Sequence, residues 1–266
     1  MFQALRQIFA RSDTGPVREI PPGERVYAVG DIHGRLDLFS ALADAINDDD
    51  SRAGKARTTV ILLGDLVDRG PASAQVIDFA RRWQEQRKVR ILTGNHEEMF
   101  LRSFDDLEMF RHFLRHGGRE TIMSYGVPRR DFVAADLQEA QAIMRRAVPE
   151  ADRAFLEGFE DMISIGDYLF VHAGIDPGVP LGEQRRQDLR WIREPFLSHG
   201  EPHELMIVHG HTIREEPDEC SNRIGIDTGA FMSGRLTALM LEGASRRFIE
   251  AAEQDDASVA VSSYAK

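Results

Sequence analysis

A chain of 266 residues, 42% hydrophobic and 29% charged, is long enough to bury a substantial core and has the balance of an ordinary globular protein. Its 33 Lys and Arg against 44 Asp and Glu leave a net charge of −11, which excludes broad affinity for a nucleic-acid backbone but not a local phosphate pocket. A lone cysteine, Cys220, excludes an internal disulfide framework, and no apolar run approaches a membrane span or a signal peptide. A cytoplasmic protein without stable membrane association is expected.

Near the start, Phe2, Leu5, Ile8 and Phe9 fall at helical spacing beside Arg6 and Arg11, which reads as a short helix packed on the body. Residues 25–29 (RVYAV), 59–63 (TVILL) and 89–92 (VRIL) read as buried strands. Between them, 36–46 and 72–86 carry helical apolar spacing, with Pro71 suited to a first helical turn. Such alternation implies right-handed parallel crossovers, with loops gathered at the carboxyl ends of the strands.

From Glu97 the pattern turns helical, broken at Gly117-Gly118 and around Gly126-Val127-Pro128, so a helical insertion over about 97–160 is expected beside those loops. Within it, Arg111, Arg115 and Arg119 share one face if the helix persists. A solvated basic face is the plainer reading, and a contact surface for an anionic substrate or nucleotide tail the sharper one. Strands return at 162–165 and 168–171, joined by a Gly166-Asp167 hairpin signal, and again at 205–208, 223–226 and 236–241. From Glu253 the residues are small and polar, which reads as a mobile tail over 253–266 behind one domain spanning 1–252.

The chemistry sits on the loops. Gly30-Asp31-Ile32-His33-Gly34, Gly64-Asp65-Leu66-Val67-Asp68-Arg69-Gly70 and Gly94-Asn95-His96-Glu97 each follow a strand and supply hard oxygen or imidazole donors. Singly, each has a bland reading: an Asp before a helix is more often an N-cap, Asp68-Arg69 a surface ion pair, and Asn95 with Glu97 helix-start chemistry. Val171-His172-Ala173-Gly174 and Val208-His209-Gly210-His211-Thr212 add histidines directly after two further strands. Five strand ends all bearing such donors point to a two-metal centre of the kind that hydrolyses phosphate esters.

With GDIHG, GDLVDRG and GNHE followed by VHAG, WIRE and GHT, the chain resembles the metal-dependent phosphoprotein phosphatase family within the calcineurin-like metallophosphoesterases. Bacterial and phage-type members share this pattern, as do members that cleave dinucleoside polyphosphates. The matching segments run in the family's order from Val26 to Leu241. The resemblance implies an α/β fold, a four-layer αββα sandwich. It puts Asp31, His33 and Asp65 on one metal and Asp65, Asn95, His172 and His211 on the other, with Asp65 bridging. It further implies direct attack of a metal-bridging hydroxide on phosphorus, His96 as general acid oriented by Asp68, and Arg69 with Arg193 (in Trp191-Ile192-Arg193-Glu194) as phosphate clamp. Two departures stand out: Thr93 occupies a position where eukaryotic members usually carry Arg, and His209 offers a second histidine beside His211, which is left outside the site.

Donors without thiolate favour two divalent ions, Mn²⁺ first, with Fe or Zn²⁺ as alternatives. Phosphoserine and phosphothreonine in proteins are the expected substrates by resemblance. The rival within enzymes is a dinucleoside polyphosphate or nucleotide-capped RNA-end hydrolase, and the rival outside them a catalytically silent binding module, against which the full donor set argues. A phosphate-ester substrate is the one partner the sequence implies.

Overall fold

Burial on both faces decides the central strands. In β1 (Glu24–Val29) every residue from Val26 to Val29 is fully buried. Tyr27 and Val29 pack with helices α1 (Leu36–Arg52) and α2 (Ser73–Gln86), while Val26 and Ala28 face a second sheet. β2 (Arg57–Leu62) and β3 (Val89–Ile91) extend the sheet in parallel, with Tyr27 opposite Val60 and Val60 opposite Val89. The two expected strand–helix–strand crossovers are therefore present. Helix α1 runs past the expected end at Ile46 because its acidic last turns find cations: Arg25 meets Asp50 at 2.7 Å, and Arg87 meets the same carboxylate at 2.9 Å.

A computed structural model describes residues 17–265, so the amphipathic segment expected over residues 1–12 lies outside the described residues. After β3 the insertion is helical: α3 (Asn95–Arg102), α4 (Leu107–Phe113), α5 (Arg119–Ser124), α6 (Arg129–Ala134), α7 (Leu137–Ala147) and α8 (Glu150–Glu157). α4 and α5 are separated by a π-helical turn over Leu114–Gly118, in which Gly117 takes φ +104°. The break separates Arg111 from Arg119, so the three-arginine face does not form. Arg111 instead pairs with Glu108 at 2.6 Å.

The second sheet begins with the hairpin of β4 (Met162–Ile165) and β5 (Tyr168–Val171), and α9 (Arg186–Trp191) follows. β6 (Met206–His209), β7 (Asp218–Glu219) and β8 (Arg223–Gly225) complete it in the order β4-β5-β6-β8-β7. A short helix α10 (Ala230–Ser233) leads to β9 (Arg235–Glu242), β10 (Ser245–Glu253) and β11 (Val259–Tyr264), and the first sheet reads β11-β10-β9-β1-β2-β3. Between the sheets lie Ile61, Leu63, Leu239, Phe170, Val208 and Ile224. The far side of the second sheet packs Val171 and Ile207 against Leu189 and Phe196. This is the four-layer α/β architecture expected, with the carboxyl ends of β1, β2, β3, β5 and β6 opening on one site. Among the described residues no helix is long and apolar enough to cross a membrane.

The C-terminus departs from expectation. Residues after Glu253 are not a tail: they turn at Gln254–Ser258, where Gln254 N–H donates to the Ser258 carbonyl at 2.8 Å, and return as the edge strand β11. The strand is held by backbone pairing to β10 and by Tyr264 against Phe248, with ring centroids 5.6 Å apart. Its other side chains stay largely exposed, so it carries no alternation that the sequence could reveal. Truncation after Glu253 is expected to lower the melting temperature by several degrees, since each kcal/mol shifts it by about 2–4 °C in a domain of this size. An unchanged melt would mean that β11 contributes nothing to the sheet.

Candidate dinuclear metal centre

The loops that carry the donors are conformationally forced. Six non-glycine residues among those described have positive φ, and five of them, His33 (46°), Asp65 (51°), Asp68 (74°), Arg69 (68°) and His211 (61°), lie at the site. Each left-handed turn is disfavoured for a residue with a Cβ and persists because its surroundings over-determine it. Glu97 does much of that work from inside: its buried carboxylate accepts backbone N–H groups from Asp65 and Leu66 at 2.8 Å and from Gly94 at 2.9 Å. This stitches the loop after β2 to the loop after β3. Gly94 is required there, because a Cβ would lie 2.1 Å from Asp65 Oδ1. Likewise, a Cβ on Gly210 would lie 2.0 Å from Asp31 Oδ1.

Two groups of donor atoms result, each gathered within 4.8 Å: His33, Asp65 and His96, and then Asp65, His172 and His211. Asp65 belongs to both through different oxygens. Its Oδ2 lies 3.6 Å from His33 Nε2 and 3.9 Å from His96 Nε2, whereas its Oδ1 lies 3.5 Å from His172 Nε2. Burial pushes the Asp65 carboxyl up, but the surrounding imidazoles, His172 foremost, outweigh it and hold the group well below the usual carboxylate range. Burial drives His33 and His172 down and His211 to about 3, so these imidazoles are neutral and free to ligate at neutral pH.

The second group passes a direct test of fit. His172 Nδ1–H donates to the Leu63 carbonyl at 2.8 Å, which leaves a lone pair on Nε2. That lone pair faces the Asn95 amide oxygen at 3.0 Å, and the same oxygen lies 2.9 Å from His211 Nδ1. Acceptors converging in a buried place are what a cation needs. His33 is prepared in the same way: its Nδ1–H donates to the Val67 carbonyl at 2.8 Å, leaving Nε2 as an acceptor.

Asp31 sits beside rather than inside these groups. Its carboxylate accepts the His211 backbone N–H at 3.0 and 3.2 Å, and burial, then the charges of Asp227 and Asp65, push it well above its ordinary range. Asp227 is a buried acid that the sequence reading passed over. Burial raises it to about 6, against the pull of a 2.9 Å bond from Gly229 N–H. The signal was present: Ile226-Asp227-Thr228-Gly229 repeats the strand, Asp, Gly pattern that singled out Asp31 and Asp65. Two buried neighbouring carboxyls are a further reason to expect positive charge here.

His96 Nδ1 and Asp68 Oδ2 are 2.6 Å apart, and Thr121 Oγ1 donates to the other Asp68 oxygen at 2.6 Å. Thr121 comes from the insertion and carries no sequence signal of its own. Burial lowers His96, but Asp65 and Asp68 outweigh it and raise the imidazole above its usual range. Arg69 opposes them: its Nη2 lies 2.9 Å from His96 Nε2 and its Nη1 2.8 Å from His33 Nε2, with the guanidinium 4.5 Å over the Phe231 ring. Arg193 donates to Thr212 Oγ1 and to the His211 carbonyl, both at 3.2 Å. His209 stays apart from both donor groups. Its Nδ1 bonds the Gly210 carbonyl at 3.0 Å, its ring packs edge-on against Phe196, and burial lowers it to about 4.

A metal-stripped sample titrated with Mn²⁺ checks the arrangement. Ion binding at a hundredfold excess over Kd is expected to stabilise the wild type by about 2.7 kcal/mol. Most of that gain should vanish in Asp65→Asn, which weakens both groups at once. A wild type whose melting temperature ignores Mn²⁺ would rule out ion binding here.

The geometry agrees with what the chain is similar to. A family model for calcineurin-like phosphoesterases matches residues 24–228. Two curated relatives are each named bis(5′-nucleosyl)-tetraphosphatase (asymmetrical). One, from Anoxybacillus flavithermus, is 26% identical over 79% of this chain and 88% of its own length. The other, from Bacillus velezensis, is 26% identical over 86% of this chain and 94% of its own. Among solved structures, one titled a putative diadenosine tetraphosphatase superposes with a TM-score of 0.59 at 19% identity, covering 94% of this chain and 99% of that one. A cold-active protein-tyrosine phosphatase from Shewanella superposes at 0.52 and 20% identity, covering 92% and 83%. Because the family model covers residues 24–228, most of the chain and every donor loop, the chain belongs to the calcineurin-like phosphoesterase family.

Proposed function

We propose that this phosphoesterase hydrolyses dinucleoside polyphosphates, cutting a bis(5′-nucleosyl) tetraphosphate away from its centre. Water adds to one phosphorus, the P–O bond to the remaining polyphosphate breaks, and a nucleoside monophosphate and triphosphate leave. The observation that carries the reading is the extent of the likeness: relatives so named align along 88% and 94% of their own lengths. This reverses the order of the sequence reading, in which phosphoserine and phosphothreonine came first.

The residues have roles in keeping with it. We assign Asp31, His33 and Asp65 to one metal and Asp65, Asn95, His172 and His211 to the other. The two donor groups support the sharing of Asp65 and the places of His33, His172 and His211, and Asn95 Oδ1 lies against both histidines of the second group, while Asp31 is assigned by the family resemblance. Oxygen and imidazole donors without thiolate suit Mn²⁺, Fe or Zn²⁺. When bound, such ions supply Lewis acidity toward the phosphoryl oxygens and acidify the attacking water. Arg69 and Arg193 hold the phosphoryl oxygens from either side of the donor groups. His96, oriented by Asp68, delivers a proton to the leaving oxygen.

That last role separates the two substrates. A polyphosphate leaving group is far less basic than a serine alkoxide and needs the proton less. His96→Asn is therefore expected to reduce turnover of a phosphoserine peptide by about 10²–10⁴-fold and that of the tetraphosphate by clearly less. Equal losses on both would remove His96 from the proton-donor role.

The assignment itself is tested by kcat/KM on diadenosine tetraphosphate against phosphoserine and phosphothreonine peptides, with Mn²⁺ present. The dinucleotide is expected to be preferred by an order of magnitude or more. Preference for the peptides would overturn the proposal and restore the protein phosphatase reading.

A further inference from the structure

Next to the donor groups, α3 and α9 enclose a groove that the chemistry above does not use. Its wider part, about 590 Å³, is lined by Glu98, Arg102, Arg186, Gln187, Arg190 and Trp191. It continues into a second part of about 340 Å³, floored by Leu101, Leu156 and Phe159. These volumes match the usual range for a small-molecule site. Both walls grow out of the site itself: Glu98 lies two residues beyond His96, and Trp191 two residues before Arg193.

Charge is distributed unevenly along the groove. In its wider part three guanidiniums face one carboxylate, on a chain whose net charge is −11. Arg190 is committed, with only 15% of its side chain exposed and contacts of 3.3 Å to Glu98 and 2.5 Å to Asp161. Arg102 and Arg186 are not. Arg102, 55% exposed, reaches Glu98 at 3.5 Å, and Arg186, 79% exposed, meets Asp161 at 2.9 Å. Exposed pairs of this kind are weak and readily exchange for a phosphate that offers more acceptor oxygens. Trp191 is anchored by its indole N–H, which donates to Glu98 Oε2 at 3.3 Å, so one aromatic ring is held at the groove wall.

We propose that this groove is the subsite for the leaving end of the substrate, a nucleoside polyphosphate. Its phosphates lie between Arg102 and Arg186, and its base stacks on Trp191. The inference rests on the dinucleoside polyphosphate reading and adds to it a site for the second nucleotide. Thr93, which lines the continuation of the groove, lies two residues before Asn95, so the groove adjoins the donor loop after β3. Glu157 and Asp161 line the apolar continuation, where Asp161 pairs with Arg186 and Arg190, and Glu98 is the one carboxylate lining the wider part.

Two measurements on the full-length protein decide it. With Mn²⁺ present, Arg102→Ala/Arg186→Ala is expected to lower the ratio of kcat/KM for diadenosine tetraphosphate to that for p-nitrophenyl phosphate by roughly tenfold, the loss of one or two charged hydrogen bonds. An unchanged ratio overturns the proposal. So does a loss confined to phosphopeptides, which would make the groove a peptide site. Separately, ATP added to metal-stripped protein is expected to quench tryptophan fluorescence. The other tryptophan, Trp83, is buried against Phe39, so the quench should disappear in Trp191→Phe and weaken in the double arginine variant. A quench that survives Trp191→Phe rules out stacking at this ring. If the wild type turns over p-nitrophenyl phosphate but not the dinucleotide, the functional reading fails, and the ATP titration still decides whether the groove binds a nucleotide.

Discussion

The Asp65 carboxylate, buried and shared by two groups of imidazoles, is the constraint on which the rest of the site depends. An isolated buried carboxylate is costly, and this one is kept ionised because four histidines surround it. Its two oxygens face different histidines, so its orientation sets the spacing of both donor groups. That orientation comes from the backbone rather than from the side chain's own preference. A left-handed turn at Asp65 and the Glu97 carboxylate beneath it hold the loop in one position.

Glu97 explains why Gly94-Asn95-His96-Glu97 reads equally well as helix-start chemistry and as part of the site. It is both. Its side chain returns to Gly94 N–H as a helix cap does, and the same carboxylate holds the N–H groups of the neighbouring strand-end loop. A local stabilising device thereby becomes the brace between two donor loops. The cost is a buried acid pushed up to about 7, by burial first and by Asp65 next, against three backbone N–H groups.

The helical insertion is coupled to the chemistry more closely than its sequence suggests. Gly117, in the π-helical turn, accepts the Arg69 N–H at 3.2 Å, and a Cβ there would lie 2.6 Å from the Arg69 nitrogen. Thr121 bonds Asp68 one turn later. The break that separates the three arginines is thus what brings the insertion against the two residues following Val67. The insertion is therefore a wall of the site, and its kink is part of how Arg69 and His96 are aimed.

Strand-end position, donor type and flanking glycines were legible along the chain. Asp31, His33, Asp65, Asn95, His96, His172 and His211 could be picked out because each follows an apolar strand, and a parallel sheet delivers such positions to one edge. What the sequence could not show depends on partners distant in the chain. Asp227 was one pattern among many until its carboxyl lay beside Asp31. Thr121 is an ordinary helix residue until Asp68 is against it. β11 has no buried stripe to read, because backbone pairing and a few contacts at its ends place it. The amino-acid sequence by itself determined which atoms are available for chemistry and on which strand ends they stand, since local periodicity and turn residues encode those directly. Only the tertiary structure decided which donors lie together, where Asp31 points and that a cationic groove opens beside them, because those follow from the packing of two sheets and an insertion whose contacts span most of the chain.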